Sequence, residues 1–305
     1  MNILKFYERF PDEDSCAVYL REQREQQGVI CKKCGGSAHY WLCNKKMFQC
    51  KHCDFRTSLK NGTVMENSNL PLRTWLLAIT FISATKKSFS ALELQRQMGH
   101  SRYATIFGLL HKVREVMGKR DGLYQLEDMV EYDEAFVEKA TKSDEKQALK
   151  KGRGSQRQAI VATMAESTIL EDLDTGKDKS CRYFKMKKID DLKAKTAEKL
   201  VRDFIDKEAV LQTDESTTYI NLEDCVDVHV HEISSSAEGK FNLKWAHIAI
   251  SNLKSYLRTY HMVSERKLQN YLDEFCYKLN RRYFGQKLFD RLVIAAIYPY
   301  WHNSV

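Results

Sequence analysis

Residues 129–137 read MVEYDEAFV, a strand-like run whose apolar residues flank Asp133. Isolated aspartates are ordinarily solvated surface residues, so one held among apolar neighbours asks for a context that a surface carboxylate lacks. Working outward, QAIVATMA (158–165) and CRYFKMKK (181–188) repeat the short apolar-rich pattern of strands, with charged and turn-forming segments between them. An amphipathic helix follows, with Ala197, Leu200, Val201, Phe204 and Ile205 on one face, and then the short strands AVLQTD (209–214) and CVDVHV (225–230). From Trp245 onward the pattern is helical. Three strands, a helix, two strands and carboxy-terminal helices predict a mixed α/β domain over 125–305. AVLQTD also places a second acid, Asp214, at the point where its strand ends and the chain turns. If the two strands are neighbours in the sheet, Asp133 and Asp214 can share divalent metal, and oxygen donors suit Mg²⁺. Glu134 and Glu215 point to the opposite face of an extended backbone and fall outside the set.

The amino-terminal part reads differently. Residues 1–28 have helical spacing broken at Pro11 and predict two short helices. Over 29–58, two Cys-x-x-Cys pairs, Cys31/Cys34 and Cys50/Cys53, lie fifteen residues apart on short β-like segments. That spacing lets two knuckles close four thiolates tetrahedrally around one Zn²⁺, a zinc ribbon in which Cys43 and His52 are spare. Lys32, Lys33, His39, Trp41, Lys45, Lys46 and Lys51 give it a basic, aromatic surface suited to a phosphate backbone. Residues 70–122 predict a helix-turn-helix. Ser90 and Glu93 form a capping box before ALELQRQM (91–98), Gly99 and Ser101 mark the turn, and the second helix presents Arg102, Tyr103, Thr105 and His111 around an apolar face of Ile106, Leu109, Leu110 and Val113. The basic segment LKKGRGSQRQ (149–158), with Lys151 and Arg153, and the cluster Asn280, Arg281 and Arg282 are further candidates for DNA contact.

The bulk numbers agree with a folded, multidomain, nucleic-acid-binding chain. At 305 residues more than one core is expected. Three prolines and thirteen glycines leave little room for long linkers, and the formal charge of +8 favours an anionic partner. The most apolar stretch, Trp75 to Ala84, is about half the ~20 residues needed to cross a bilayer, and MNILKFYERF (1–10) lacks the pattern of a secretory signal. A cytoplasmic, nucleoid-associated protein is expected, and its nine cysteines suit metal binding better than disulfides.

Taken in order, the paired Cys-x-x-Cys motifs, the helical stretch, YDEAFV (132–137), QTDESTTY (212–219), AISNLKSYLRTYHMVS (249–264) and LQNYLDEFCYKLNRR (268–282) resemble the bacterial ISXO-type insertion-sequence transposases over nearly the whole chain. The resemblance implies an RNase H-like core similar to that of retroviral integrases, with three metal-site residues of which the third is Glu in many members and Asn in some. Carried onto this sequence, these are Asp133, Asp214 and Asn252 around Mg²⁺ or Mn²⁺, with Lys254 as the basic residue beside the scissile phosphate. In Glu-bearing relatives the acid precedes the lysine by about one and a half to two helical turns; that spacing points to Ala246 or His247 and makes His247 the alternative third ligand. The implied activity is metal-dependent cleavage at transposon ends and strand transfer into target DNA, with double-stranded DNA as partner and a homo-oligomer as the active complex. Two other readings stay open: a nuclease without strand transfer, and a DNA-binding regulator, a domesticated transposase with a dead site.

Overall fold

The computed structural model describes residues 1–86, 89–141, 155, 157–168, 180–214, 216, 219, 222–232, 243–260 and 262–298. In chain order the described residues form helices α1 (Ile3–Arg9) and α2 (Glu13–Gln27), then strands β1 (His39–Leu42), β2 (Met47–Cys50) and β3 (Arg56–Ser58). Helices α3 (Leu72–Ala84), α4 (Ala91–Met98) and α5 (Tyr103–Asp121) precede three long strands, β4 (Met129–Glu138), β5 (Gln158–Thr168) and β6 (Ser180–Ile189). Then come α6 (Ala194–Phe204), β7 (Val210–Asp214), β8 (Val228–Glu232), and helices α7 (Lys244–Leu257), α8 (Glu265–Asn280) and α9 (Lys287–Ile297). Two compact units result: one of residues 1–120 together with the chain from Tyr283, the other of residues 121–282.

In the second unit β6-β5-β4-β7-β8 is the order of a mixed sheet. β4 pairs antiparallel with β5 and parallel with β7, and β8 extends the sheet parallel to β7. β4 is therefore central, and the two-residue alternation of its side chains feeds a different layer on each face. Val130 and Tyr132 join Leu211, Met164 and Ala162 under Ala197 and Val201 of α6. Val137 joins Val161, Ala165 and Phe184 under Leu253 of α7 and Leu272 and Phe275 of α8. Each of the buried Val, Leu, Met and Phe side chains stabilises the unit by roughly 1.5–3 kcal/mol before conformational entropy is counted. This mixed α/β sheet with helices on both faces fits an RNase H-like domain.

The first unit packs its helices around an aromatic cluster. Asp12 caps α2 reciprocally with Ser15, and Ser90 Oγ accepts the Glu93 amide N–H at the start of α4. Gly99 closes α4 in the left-handed region, φ 62°, where a side chain would be strained. The expectation of one domain over 125–305 needs correcting at its end, because α9 belongs to this unit. Its Phe289 packs on Phe10 and Tyr19, Asp290 accepts the Tyr19 hydroxyl at 2.7 Å, and Ala296 C=O accepts the Val64 N–H at 3.0 Å. Residues 1–28 likewise fold into this core and make no separate domain, with Phe6, Phe10 and Leu20 fully buried.

Candidate active site and cysteine cluster

The register between β4 and β7 runs from Met129 opposite Val210 to Glu131 opposite Gln212. Two residues further on each strand bring Asp133 and Asp214 to the same level and, by strand alternation, to the same face of the sheet. Both are half-buried. Asp133 Oδ1 accepts the Glu134 amide N–H at 2.8 Å, and Asp214 Oδ1 accepts that of Ser216 at 3.1 Å, which steadies both carboxylates from their own backbone. Above this face α7 packs across β4 and β5. Its His247 Nε2 lies 3.4 Å from Asp133 Oδ2, with the imidazole 58% exposed and the carboxylate 19% exposed. Such exposure makes His247 a reachable group and not a packed core histidine.

His247, Ser251 and Lys254 recur at helical spacing and line, with Asp133, Glu134 and Gln158, an open cleft of about 630 Å³. Asn252 is not among the lining residues. Five residues along an α-helix turn it roughly 140° from His247, and Asn252 is exposed on that other face. Of the two candidates on α7, His247 is the one that stands beside Asp133. A second groove of about 430 Å³ shares Phe136, Gln158 and Lys254 with the cleft and continues past Arg258 and Lys139 to Tyr260 and Met262. Lys254 and Arg258, one helical turn apart, are both exposed.

Residues 125–280, just over half of the chain and nearly coincident with the second unit, match the family model of the ISXO2-like transposase domain. The chain belongs to the ISXO2-like transposase family. A relative described as an uncharacterized protein in transposable element ISH50 of Halobacterium salinarum is 28% identical over 167 residues, 53% of this chain and 53% of that protein. The chain spans about half the length of this curated relative.

Outside its family domain the chain carries a second constellation. Cys31, Cys34, Cys50 and Cys53 bring their four sulfurs within 4.8 Å of one another, and among the described residues no other three His, Cys, Asp or Glu ligands meet so closely. The hairpin of β1 and β2 supplies one pair at its base, where His39 faces Cys50. Each Cys-x-x-Cys turn is closed by backbone: Gly35 N–H donates to Cys31 C=O at 2.9 Å and Asp54 N–H to Cys50 C=O at 3.1 Å. A Cβ on Gly36 would stand 3.4 Å from Cys34 Sγ and 3.5 Å from Cys50 Sγ, so the turn passes close over the sulfurs. Burial opposes ionisation of Cys31, but the backbone amides at Cys34 and Lys33 together with the Cys53 and Cys34 thiols outweigh it and draw the thiol down to about 7. Cys43 starts the turn at the far end of the hairpin, and neither it nor His52 belongs to the cluster. Some of the basic surface is engaged within the unit: Lys32 pairs with Glu66 at 3.6 Å, Lys46 pairs with Asp14, and Lys51 sits over the Tyr40 ring.

On α5, Ile106, Leu109, Leu110 and Val113 are buried as their spacing predicted, while Arg102 and Tyr103 are exposed. His111 is instead 4% exposed, its ring 4.3 Å from that of Phe107, so it presents nothing to a groove. Asn280 and Arg281 are also turned inward. Arg281 Nη1 reaches Asp121 Oδ1 at 2.6 Å, and the Asn280 amide bonds to Asp121 and to both backbone groups of Phe184. Lys151, Arg153 and Glu215 lie outside the described residues.

Sequence reasoning missed Ser251, although its place between His247 and Lys254 on one helix face is legible once the helix is phased. It also missed Glu131 and Tyr219. Glu131 is 1% exposed and Tyr219 3% exposed, and burial, reinforced by the neighbouring Glu134, pushes the Tyr219 hydroxyl well above the ordinary tyrosine range.

Proposed function

We propose that this chain is the transposase of an insertion sequence, cutting DNA at the ends of its element and joining them to target DNA. The observations that carry the reading are His247 at 3.4 Å from Asp133 beside an open cleft, and Asp214 on the parallel strand next to Asp133, two residues beyond the Glu131–Gln212 pair and on the same face of the sheet. The two carboxylates would suit Mg²⁺ or Mn²⁺, and an imidazole donor would be taken more readily by Mn²⁺ than by the harder Mg²⁺. Bound there, divalent cations would stabilise charge on the attacking and leaving oxygens of a phosphodiester. Lys254, on the His247 face of α7, would hold a non-bridging phosphate oxygen, and Arg258 would follow the strand into the second groove. In the first step water attacks the phosphorus at the transposon end and the 3′ oxygen leaves, taking a proton to become a hydroxyl. That hydroxyl then attacks a target phosphodiester and displaces the target's own 3′ oxygen. Asp133 and the cleft walls orient the strand, so the nucleophile arrives in line.

Four cysteines suit a closed structural Zn²⁺ site, which would make residues 29–58 a zinc ribbon. With α4 and α5 as a helix-turn-helix exposing Arg102 and Tyr103, the amino-terminal part would recognise the element's double-stranded ends. Two ends held at once call for an oligomer of the chain.

The test is a duplex carrying an element end, incubated with target DNA and Mg²⁺ or Mn²⁺. Wild type should nick and join; Asp133→Asn and Asp214→Asn should each lose roughly 10³-fold or more of cleavage while still binding the end, since a metal site is worth several kcal/mol to the transition state. Full cleavage by Asp214→Asn would reject the assignment, and nicking without joined product would reduce the reading to a nuclease.

A further inference from the structure

The two acids beside Asp133 on β4 are the least explained charges in the second unit. Glu131 is 1% exposed on the same face as Asp133. Its Oε2 accepts the backbone N–H of Trp245 at 2.6 Å and of Ala246 at 2.9 Å. These are the second and third residues of α7, whose own N-cap position, Leu243, supplies no side-chain acceptor. A helix start leaves its first N–H groups without partners and carries positive partial charge, so a carboxylate from the sheet does the capping here. The next residue of the helix is His247. Glu134 points to the opposite face, where its Oε2 accepts the Tyr219 hydroxyl. Tyr219 is buried edge-on against Tyr132, with ring centroids 5.5 Å apart, five residues beyond Asp214.

We propose that Glu131 and Glu134 are positioning residues for the two partners of Asp133: Glu131 fixes the first turn of α7 and so the place of His247, and Glu134 anchors Tyr219, five residues beyond Asp214. The strand that carries the central acid thereby sets the distance to both its partners, one from each face of the sheet. Capping of α7 stands on geometry alone; its consequence for catalysis rests on the functional reading above.

The experiment uses the full chain and reads amide hydrogen exchange, Mn²⁺ affinity and end cleavage on the same variants. Glu131→Gln keeps an oxygen that accepts both N–H groups, whereas Glu131→Asp keeps the charge but is one methylene too short to reach them. In Glu131→Asp, exchange at Trp245 and Ala246 should quicken about tenfold or more. Mn²⁺ should bind more weakly, and kcat should fall on the order of 10²-fold with KM for the end nearly unchanged, as for a displaced site group. Glu131→Gln should restore all three to within a few-fold of wild type. Tyr219→Phe, which keeps the ring and removes the donor, should lower kcat about tenfold without moving exchange at α7. If Glu131→Asp unfolds the unit, the decision passes to Glu131→Gln against Glu131→Met, of equal length but without an acceptor. Equal exchange and equal Mn²⁺ affinity in those two would overturn the proposal. Wild-type chain that neither cleaves nor binds Mn²⁺ would sink the functional reading and the positioning role together, while quickened exchange would still establish the cap. Wild type that does both, with Glu131→Asp indistinguishable from it, would sink the positioning role alone.

Discussion

The cysteine cluster and the acidic cleft gather ligands in opposite ways. The four thiols come from residues 31 to 53 of one small sheet, lie within 4.8 Å of one another, and are aimed by turns that each close on their own backbone. Asp133, Asp214 and His247 come from two strands and a helix that are brought into place only when β7 docks beside β4 and α7 lies across β4 and β5. A site built from local turns needs little beyond its own segment to exist. A site built across a sheet inherits any error in the packing of the whole unit, which is why buried carboxylates such as Glu131 stand behind it.

The contrast can be broken most severely at the cysteines. Cys34→Ser, or removal of metal by a strong chelator, should cost residues 29–58 their order, since structural zinc contributes on the order of 10 kcal/mol in small modules. Amide exchange should rise across β1–β3 and stay unchanged over 121–282; unaltered protection in β1–β3 would show that the cluster closes without metal. A smaller effect separates the two candidates on α7. His247→Ala should lower end cleavage about 10²-fold, as expected for loss of one charge-stabilising group, while Asn252→Ala, on another face of the helix, should stay within about twofold of wild type in the same assay. The reverse result would favour Asn252 as the third ligand.

The smallest effect probes how far the acidic unit depends on buried charge. Lys185 is 3% exposed and donates to the carbonyls of Asp121 and Tyr124. Burial first, then the nearby Lys187, draws its amine down to about 8 from the ordinary 10.5. Between those values the unfolded chain holds more protons than the folded one, so this residue's contribution to stability grows as pH rises from 8 towards 10.5 and is smallest below 8. In urea unfolding, wild type should gain about 1–3 kcal/mol relative to Lys185→Met from pH 7.5 to 10. A difference that is flat with pH would mean the amine keeps its proton when buried.

The chain's own pattern carried much of this. Alternating and apolar runs announced β4, β5, β6, β7 and β8, because strands buried on a sheet must be apolar at period two or throughout. What it left open were matters of partner and phase. Whether Asn252 or His247 stands beside Asp133 was one of them, because motif spacing says nothing about which face of α7 meets the sheet. Asn280 and Arg281 looked like surface groups until Asp121 and the Phe184 backbone supplied partners more than ninety residues away in the chain. α9 was assigned to the unit it follows, yet its Phe289 completes an aromatic cluster begun by Phe6 and Phe10.

By itself, then, the order of residues determined the elements, the paired cysteine turns and the acids at strand positions, since each depends on neighbours within a few residues. Tertiary structure alone decided that β4 and β7 run side by side, that His247 faces Asp133, and that the last helix returns to the first unit. Those outcomes depend on burial shared between distant segments, and no short stretch of chain contains both halves of such a contact.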